Sequence, residues 1–251
     1  MKLHFFGTCS GTEPMPGRHH TSFAFETKGK LYIFDAGENC SYNAHIMGVD
    51  LLSCRAVFIS HSHMDHIGGL GNLFWNIRKL NVYYSRKMND VDLYLPEPEV
   101  WEHLEEILRH TEGSFSKEWE IYPHRINDGV IFDGDITVRA LHNNHLGKTD
   151  GHCLSFGFLI ECEGKRVVYT GDTNGPDDFK PLMPCDILIC ETGHHRARDI
   201  AEAVNGMTDK IIYNHHGLAM LSDMEGELTL AREVFDGEIF SANDMDTFDF
   251  Q

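Results

Sequence analysis

The sequence predicts an α+β fold in which two β-sheets pack together and helices cover their outer faces. Strand-like runs begin each half of the chain, helical runs fall between the strands, and no linker rich in Pro, Gly or Ser separates the halves. A chain of 251 residues is long enough for one sizeable core. We therefore treat residues 1–251 as a single domain.

The first half of the chain has apolar runs of strand length, separated by turn residues and by longer amphipathic stretches. The predicted strands span residues 2–6, 21–26, 30–34, 56–60 and 91–95. The predicted helices span residues 41–47, 70–80 and 98–109. Pro98 suits the first turn of the last helix, whose apolar residues recur on one side.

The second half is richer in strands. These are predicted at residues 129–132, 136–141, 155–161, 167–169, 186–190, 210–213 and 238–242. Asp133-Gly134 and Glu163-Gly164 are typical of hairpin turns, which indicates antiparallel pairs at those points. One short amphipathic helix is predicted over residues 197–204.

The charge and cysteine content limit the environment and the partners. Lys and Arg number 21 against 39 Asp and Glu, a net charge of −18, and such a surface argues against RNA or DNA as a partner. Seven Cys without a Cys-x-x-Cys pair indicate a reducing compartment. No apolar run approaches the ~20 residues of a membrane helix, and no signal peptide is evident. We expect a cytoplasmic protein with no membrane association, and the sequence leaves a homodimer open.

The stretch His61-Ser62-His63-Met64-Asp65-His66 places four metal-binding side chains within six positions, directly after a predicted strand. Residues two apart in an extended segment project the same way, so His61 and His63 can chelate one ion together. Asp65 and His66 follow a turn and can face a second ion. Imidazole and carboxylate donors suit Zn²⁺, and two such ions can share a hydroxide that serves as nucleophile.

One loop cannot complete two metal sites, and three other strand ends carry suitable donors. His145 follows the strand at 136–141, with His142 as the alternative. Asp172 follows 167–169 on a tight turn and could bridge both ions. His215 follows 210–213, with His216 as the alternative.

These motifs resemble the metallo-β-lactamase superfamily, within it the branch of ribonuclease Z and related phosphodiesterases. The motifs that carry the resemblance are Phe5-Phe-Gly-Thr-Cys-Ser-Gly, Phe34-Asp-Ala-Gly-Glu, His61-Ser-His-Met-Asp-His with Gly68-Gly-Leu, Ser155-Phe-Gly-Phe, Tyr169-Thr-Gly-Asp-Thr, Glu191-Thr-Gly and Asn214-His215. The resemblance implies a four-layer αββα sandwich with a binuclear metal site.

The resemblance also implies a role for each donor. The ligands of the first metal would be His61, His63 and His145. Those of the second would be Asp65, His66 and His215, with Asp172 bridging. Asp35 would hydrogen-bond the metal loop and fix a ligand's orientation; the alternative is a turn Asp before Gly37.

In ribonuclease Z a His at the start of a helix assists proton transfer to the leaving group. His194 matches it by its spacing to Ala197, with His195 as its neighbour, and a helix-start His without chemical function is the alternative reading. The chain lacks an obvious basic arm of the kind that ribonuclease Z uses to grip tRNA. In its place, residues 72–109 form an insertion that is either a lid or outer packing.

The sequence thus predicts a binuclear metal-dependent hydrolase that cleaves a small anionic phosphodiester, with Asp65 or His194 handling protons. The cofactors would be two divalent ions, Zn²⁺ in the first place, with Mn²⁺ or Fe²⁺ as alternatives. The alternative functions are a lactonase or thioesterase, a tRNA 3′-processing endoribonuclease, and a non-catalytic metal-binding sensor.

Overall fold

The computed structural model describes residues 1–11 and 16–250. The chain divides into two units, each held together by its own internal contacts. Unit 1 comprises Met1–Gly7, His19–Ile126 and Asp244–Gln251, and unit 2 comprises Thr8–Arg18 and Asn127–Asn243. The assignment of residues 1–251 to a single domain stays a prediction.

Unit 1 contains seven strands and four α-helices among its described residues. The strands are β1 Lys2–Gly7, β2 Ser22–Thr27, β3 Lys30–Phe34, β4 Cys54–Phe58, β5 Val91–Leu95, β6 Ile121–Arg125 and β16 Thr247–Asp249. The helices are α1 Cys40–Ile46, α2 Met64–Ile67, α3 Leu70–Tyr84 and α4 Glu99–Arg109. The predicted elements of the first half are therefore confirmed within a few residues, whereas β6 and β16 were not predicted as strands.

The seven strands of unit 1 form one mixed sheet in the order β16-β1-β2-β3-β4-β5-β6. The pairs from β16 to β3 are antiparallel, and those from β3 to β6 are parallel. β2 and β3 are joined by the two-residue turn Lys28-Gly29, in which both residues have positive φ, as hairpin turns require. Because β3 and β4 run parallel, their carboxyl ends lie at the same edge of the sheet.

The two faces of this sheet are packed differently. On one face, α3 buries Leu70, Leu73, Phe74 and Ile77, the spacing of a single helical side, in an apolar cluster with the strands. On the other face, rings from six adjacent strands form a continuous row with centroid separations of 5.6, 5.4, 4.8, 5.1 and 4.7 Å. The row runs through Phe5, Phe23, Phe34, Phe58, Tyr94 and His124.

Residues 72–109, predicted to be an insertion, supply most of α3 and all of β5 and α4 to unit 1. β5 lies between β4 and β6 within the sheet. Whether part of this segment acts as a lid stays a prediction.

Unit 2 contains nine strands and three α-helices among its described residues. The strands are β7 Gly129–Asp133, β8 Thr137–His142, β9 Lys148–Thr149, β10 His152–Cys153, β11 Phe156–Cys162, β12 Lys165–Tyr169, β13 Cys185–Thr192, β14 Thr208–His216 and β15 Glu238–Ser241. The helices are α5 Ala197–Val204, α6 Leu218–Ser222 and α7 Met224–Arg232. The predicted strands and α5 are confirmed; α6, α7 and the small β9–β10 pair were not predicted.

The main sheet of unit 2 has the order β15-β14-β13-β12-β11-β8-β7. The strands from β12 to β15 are parallel neighbours, and those from β12 back to β7 are antiparallel. β8 is separated from β12 by two antiparallel pairings, so β8, β12, β13 and β14 all point their carboxyl ends to one edge. Four separate chain segments thus begin at that edge.

Among the described residues, no helix combines the length and the apolar character needed to cross a lipid bilayer. None of the seven cysteines, all of which the structure describes, forms a disulfide.

Candidate metal centre

The His61–His66 stretch lies at the carboxyl end of β4 and continues into α2, as the sequence predicts. His61 and His66 are fully buried, Asp65 is nearly so, and His63 is exposed. The ring centroids of His61 and His63 are 4.6 Å apart, and those of His61 and His66 are 4.0 Å apart. His66 Nε2 lies 3.4 Å from Asp65 Oδ2. The local sequence therefore gathers four donors at one edge of unit 1.

Asp35 holds this loop from the end of the neighbouring strand β3. It is fully buried, and its two carboxylate oxygens accept hydrogen bonds from Ser60 N at 2.7 Å and from Ser60 Oγ at 2.8 Å. His66 Nδ1 lies 2.8 Å from Asp35 Oδ2. Because a carboxylate only accepts, Nδ1 of His66 carries the proton and Nε2 keeps its lone pair, the form in which imidazole binds a metal.

In unit 2, Asp172 is the point on which the predicted donors converge. It follows β12 and is almost fully buried. Its Oδ1 lies 3.3 Å from Nε2 of His215, and its Oδ2 lies 3.8 Å from Nε2 of His145 and 3.9 Å from Nδ1 of His194. Residues from the ends of two other strands, β8 and β14, and from the segment before α5 therefore surround one carboxylate.

The structure distinguishes His145 from its alternative. His142 is turned toward Asp128, to which both its backbone N and its Nδ1 bond at 2.7 Å. His145 instead lies next to Asp172, on a turn held by the buried Asn143. The Asn143 side chain donates to Asp172 O at 2.8 Å and accepts from His145 N at 3.2 Å.

The side chains of His215 and His216 contact different groups. His215 faces Asp172, with its Nδ1 3.8 Å from Glu191 Oε2. His216 is fully buried and bonds to Thr192 Oγ1 at 3.0 Å and to Ala242 O at 2.9 Å. Burial lowers the pKa of His216 to about 3, so this ring is neutral.

Sequence reasoning missed Glu191, the last but one residue of β13, as a member of this cluster. It is buried and accepts hydrogen bonds from Thr173 N at 3.0 Å, from His194 N at 2.8 Å and from His194 Nδ1 at 3.0 Å. Burial acts to raise the pKa of Glu191, but the hydrogen bonds from His194 and the nearby ring of His215 outweigh it and hold the pKa below its usual range. The hydrogen bond to Glu191 in turn raises the pKa of His194. In the sequence, Glu191 is only the last polar residue of an apolar run, and its place in the cluster follows from these hydrogen bonds.

His195, the neighbour of His194, has a different position. Its Nε2 lies 3.0 Å from both the hydroxyl and the carbonyl oxygen of Thr173. Of the two, His194 is therefore the one that faces Asp172, which favours the predicted choice.

The donor chemistry of unit 2 fits a divalent metal ion. Asp172, Glu191, His194 and His215 each offer a ligand atom within 4.8 Å of the others, a spacing at which one ion can hold several of them. Mixed nitrogen and oxygen donors of this kind suit Zn²⁺, Mn²⁺ and Fe²⁺. The cluster is therefore a divalent metal site in its chemistry, and the identity of the metal does not follow from it.

Comparison with known proteins gives one family match. The family model described as "Anti-Pycsar protein Apyc1" matches residues 1–183. A ribonuclease Z of Methanothermobacter thermautotrophicus is 28% identical over 292 residues, which cover 94% of this chain and 92% of that protein.

Solved structures resemble the whole chain. The metallo-β-lactamase-fold protein YhfI of Bacillus subtilis has a TM-score of 0.74 at 19% identity, covering 98% of each chain. The short form of human tRNase Z has a TM-score of 0.73 at 19% identity, covering 100% of each chain. These likenesses establish the fold, and they confirm the predicted α+β class and metallo-β-lactamase fold.

The prediction that the acidic charge argues against a nucleic-acid partner is wrong. The chain is similar over nearly its whole length to a ribonuclease Z, a protein named for its action on RNA. A net charge of −18 is a sum over the whole molecule. A phosphate at a metal site responds chiefly to the ions and dipoles beside it, which the sum does not describe.

Proposed function

The chain belongs to the family of the Anti-Pycsar protein Apyc1, within the metallo-β-lactamase superfamily of metal-dependent hydrolases, and from this premise we propose that it cleaves a small phosphodiester with two divalent metal ions. One observation supports the proposal above the others: buried carboxylates and imidazoles gather at the carboxyl ends of strands in both units. Packing alone gives no reason to bury so many titratable side chains at strand ends.

The proposal assigns each donor a place. One ion would be held by His61, His63 and His145, and the other by Asp65, His66 and His215. Asp172 would bridge them. Zn²⁺ is the preferred ion for this set, and Mn²⁺ or Fe²⁺ are the alternatives.

When bound, two such ions supply Lewis acidity and lower the pKa of a water molecule toward neutrality. Their four positive charges exceed the three negative charges of Asp65, Asp172 and Glu191. A small anionic ester would therefore be attracted to a site that is positive within an acidic protein.

The protein's own groups would handle the protons. Asp65 would accept one from the attacking water. His194 would donate one from an imidazole nitrogen to the oxygen of the leaving group, because the hydrogen bond to Glu191 raises its pKa and so favours its protonated form. Asp35 would keep His66 in its metal-binding tautomer.

A cytoplasmic location is part of the proposal. Seven cysteines without a disulfide are typical of a reducing compartment.

The test compares hydrolysis of bis-p-nitrophenyl phosphate by the wild type and by Asp172→Ala, with metal content measured on the same samples. Loss of the bridging carboxylate should reduce turnover about 10³-fold or more, because metal Lewis acidity contributes several kcal/mol to such reactions. Asp186→Ala is the matched control, since Asp186 is a carboxylate of the same unit that pairs with Lys165. Unchanged turnover in Asp172→Ala would refute the mechanism. Opening of lactones or cleavage of thioesters without phosphodiesterase activity would refute the substrate class.

A tRNA 3′-processing endoribonuclease is the second candidate, and the full-length similarity to a ribonuclease Z favours it. It predicts binding of precursor tRNA that weakens steeply as salt increases, and cleavage at the 3′ side. Absence of tRNA binding at low salt would exclude it.

A further inference from the structure

His215 adopts a backbone conformation that side chains other than glycine rarely take. Its φ is 49°, in the left-handed region. The register between β13 and β14 shifts at this point: Glu191 pairs with Asn214, and Thr192 pairs with His216. His215 is therefore the extra residue of a β-bulge, and the bulge directs its ring toward Asp172.

Close packing leaves this ring little alternative space. A Cβ atom on residue 193 would lie 2.7 Å from Nδ1 of His215, so Gly193 is needed for the ring to occupy its position. Strained conformations persist only where the surroundings determine them from several sides. Gly193 gives the ring room, but it does not hold the backbone.

The next residue, His216, supplies the restraint on the backbone. Its N donates to Thr8 O at 2.7 Å, and its O accepts from Ser10 N at 3.1 Å. The chain is thus fixed directly after the left-handed residue.

The side chain of His216 ties together two further strand ends. A carbonyl oxygen only accepts, so Nε2 carries the proton and donates to Ala242 O, which follows β15, at 2.9 Å. Nδ1 then accepts from the hydroxyl of Thr192, at the end of β13, at 3.0 Å. The ring is fully buried and bridges the strands on both sides of β14.

We infer that His216 is a positioning residue, which holds His215 in its left-handed conformation by bridging Thr192 and Ala242. The inference rests on the proposed function, because it is there that His215 is assigned as a metal ligand. Its consequence is that the affinity for the ion bound by His215 depends on a side chain that does not face that ion.

The experiment measures Co²⁺ binding by the metal-free protein, through its stoichiometry, its affinities and the visible absorption of the bound ion. His216→Phe fills the same space but makes neither hydrogen bond. We expect His216→Phe to weaken the binding of one of the two ions about 10–100-fold and to alter the absorption of that bound ion, because a group that orients a ligand is lost. His216→Gln can donate to Ala242 O and accept from the hydroxyl of Thr192, so it should restore both the affinity and the absorption of the wild type. Thr192→Val removes the hydrogen bond to Nδ1 of His216 from the partner's side and should weaken the binding of the same ion.

His4→Phe is the matched control. His4 is also buried and also makes two side-chain hydrogen bonds, to Thr247 and Glu26, but it lies on β1 of unit 1. A folded His216→Phe or Thr192→Val protein with wild-type Co²⁺ affinities and spectrum would overturn the inference. Equal losses in His4→Phe, or no recovery in His216→Gln, would overturn it as well. Because the readout is metal binding, a wild type that binds two ions but cleaves no phosphodiester would refute the proposed function and leave this inference standing.

Discussion

The two units present their metal-binding side chains in opposite ways. Unit 1 offers four donors within six consecutive residues, on one loop after β4. Unit 2 draws its cluster from the ends of β8, β12, β13 and β14 and from the segment before α5. The rings of its three histidines lie 3.3–3.9 Å from the carboxylate of Asp172. A contiguous set is fixed by local geometry, whereas a dispersed set depends on the strand order of a whole sheet.

The difference extends to the groups that hold the donors. In unit 1, a single carboxylate, Asp35, binds the loop at three points and sets the tautomer of His66. In unit 2, the support of the donors is divided among several groups. Asn143 holds the turn of His145, Gly193 admits the ring of His215, and Glu191 binds His194. Damage to one support should therefore spread further in unit 1 than in unit 2.

After the loss expected for Asp172→Ala, the largest effect separates two histidines of unit 2 that lie three residues apart. His145→Ala should reduce phosphodiester turnover more than about 100-fold, because a ligand is lost from a site that needs at least three. His142→Ala should leave turnover unchanged, since His142 bonds to Asp128. Steady-state kinetics and metal content of both variants check this. Equal losses in the two variants would mean that dispersed donors cannot be assigned by their distance from Asp172.

The next effect concerns the single support of unit 1. Asp35→Asn should weaken metal binding about 10–100-fold, because an amide nitrogen facing Nδ1 of His66 forces the proton onto Nε2. Ser60→Ala keeps the carboxylate and removes one hydroxyl donor, so it should weaken binding less. Isothermal titration of metal into the metal-free proteins measures both. A smaller loss of metal affinity in Asp35→Asn than in Ser60→Ala would show that Asp35 is not the main support of the metal loop.

A third effect is a shift with pH that belongs to unit 2. Protonated His194 donates the proton, and the bond to Glu191 raises its pKa, so activity should persist to higher pH in the wild type. Glu191→Gln should move the alkaline limb of the kcat/KM profile to lower pH and leave the acidic side in place. Glu227→Gln, another buried Glu of unit 2 that pairs with Arg196, should leave the alkaline limb where it is. A limb that stays in place in Glu191→Gln would exclude this role for His194.

The smallest effect tests whether the metal loop of unit 1 depends only on its donors and on Asp35. Met64 lies between the donors, yet the residue is 70% exposed. Met64→Ala should change the free energy of unfolding by no more than about 0.5 kcal/mol and leave metal affinity unchanged. Denaturant unfolding and metal titration provide the measurement. A large loss of affinity would show that the loop depends on more than its donors and Asp35.

The parts of the molecule that sequence predicted well are those with local signals. The helix α5 shows Ala197, Ile200, Ala201 and Val204 on one side, and all four are buried. The spacing His61, His63, Asp65, His66 likewise indicates a metal loop without reference to any other segment. Because His145, Asp172 and His215 each follow a predicted strand, the sequence also indicated that these three side chains lie close together.

The parts that escaped prediction lack such signals. β6 contains Pro123 and two charged or titratable residues, and only Ile121 is buried, so it reads as a loop. α7 has Gly226 within its first turn and is short. Glu191 follows a long apolar run and resembles a strand-end residue, and only the close approach of His194 reveals its function. The partner prediction failed because a total charge carries no information about one site.

The hairpin turns of the two sheets have a practical consequence. Lys28-Gly29 precedes β3, and Glu163-Gly164 precedes β12, so both turns lie at the strand ends remote from Asp35 and Asp172. Their residues are exposed and already accept the left-handed backbone. A peptide epitope or a fluorophore attachment sequence grafted at either turn would therefore leave the donors undisturbed, which offers a handle for immobilising or imaging the working protein.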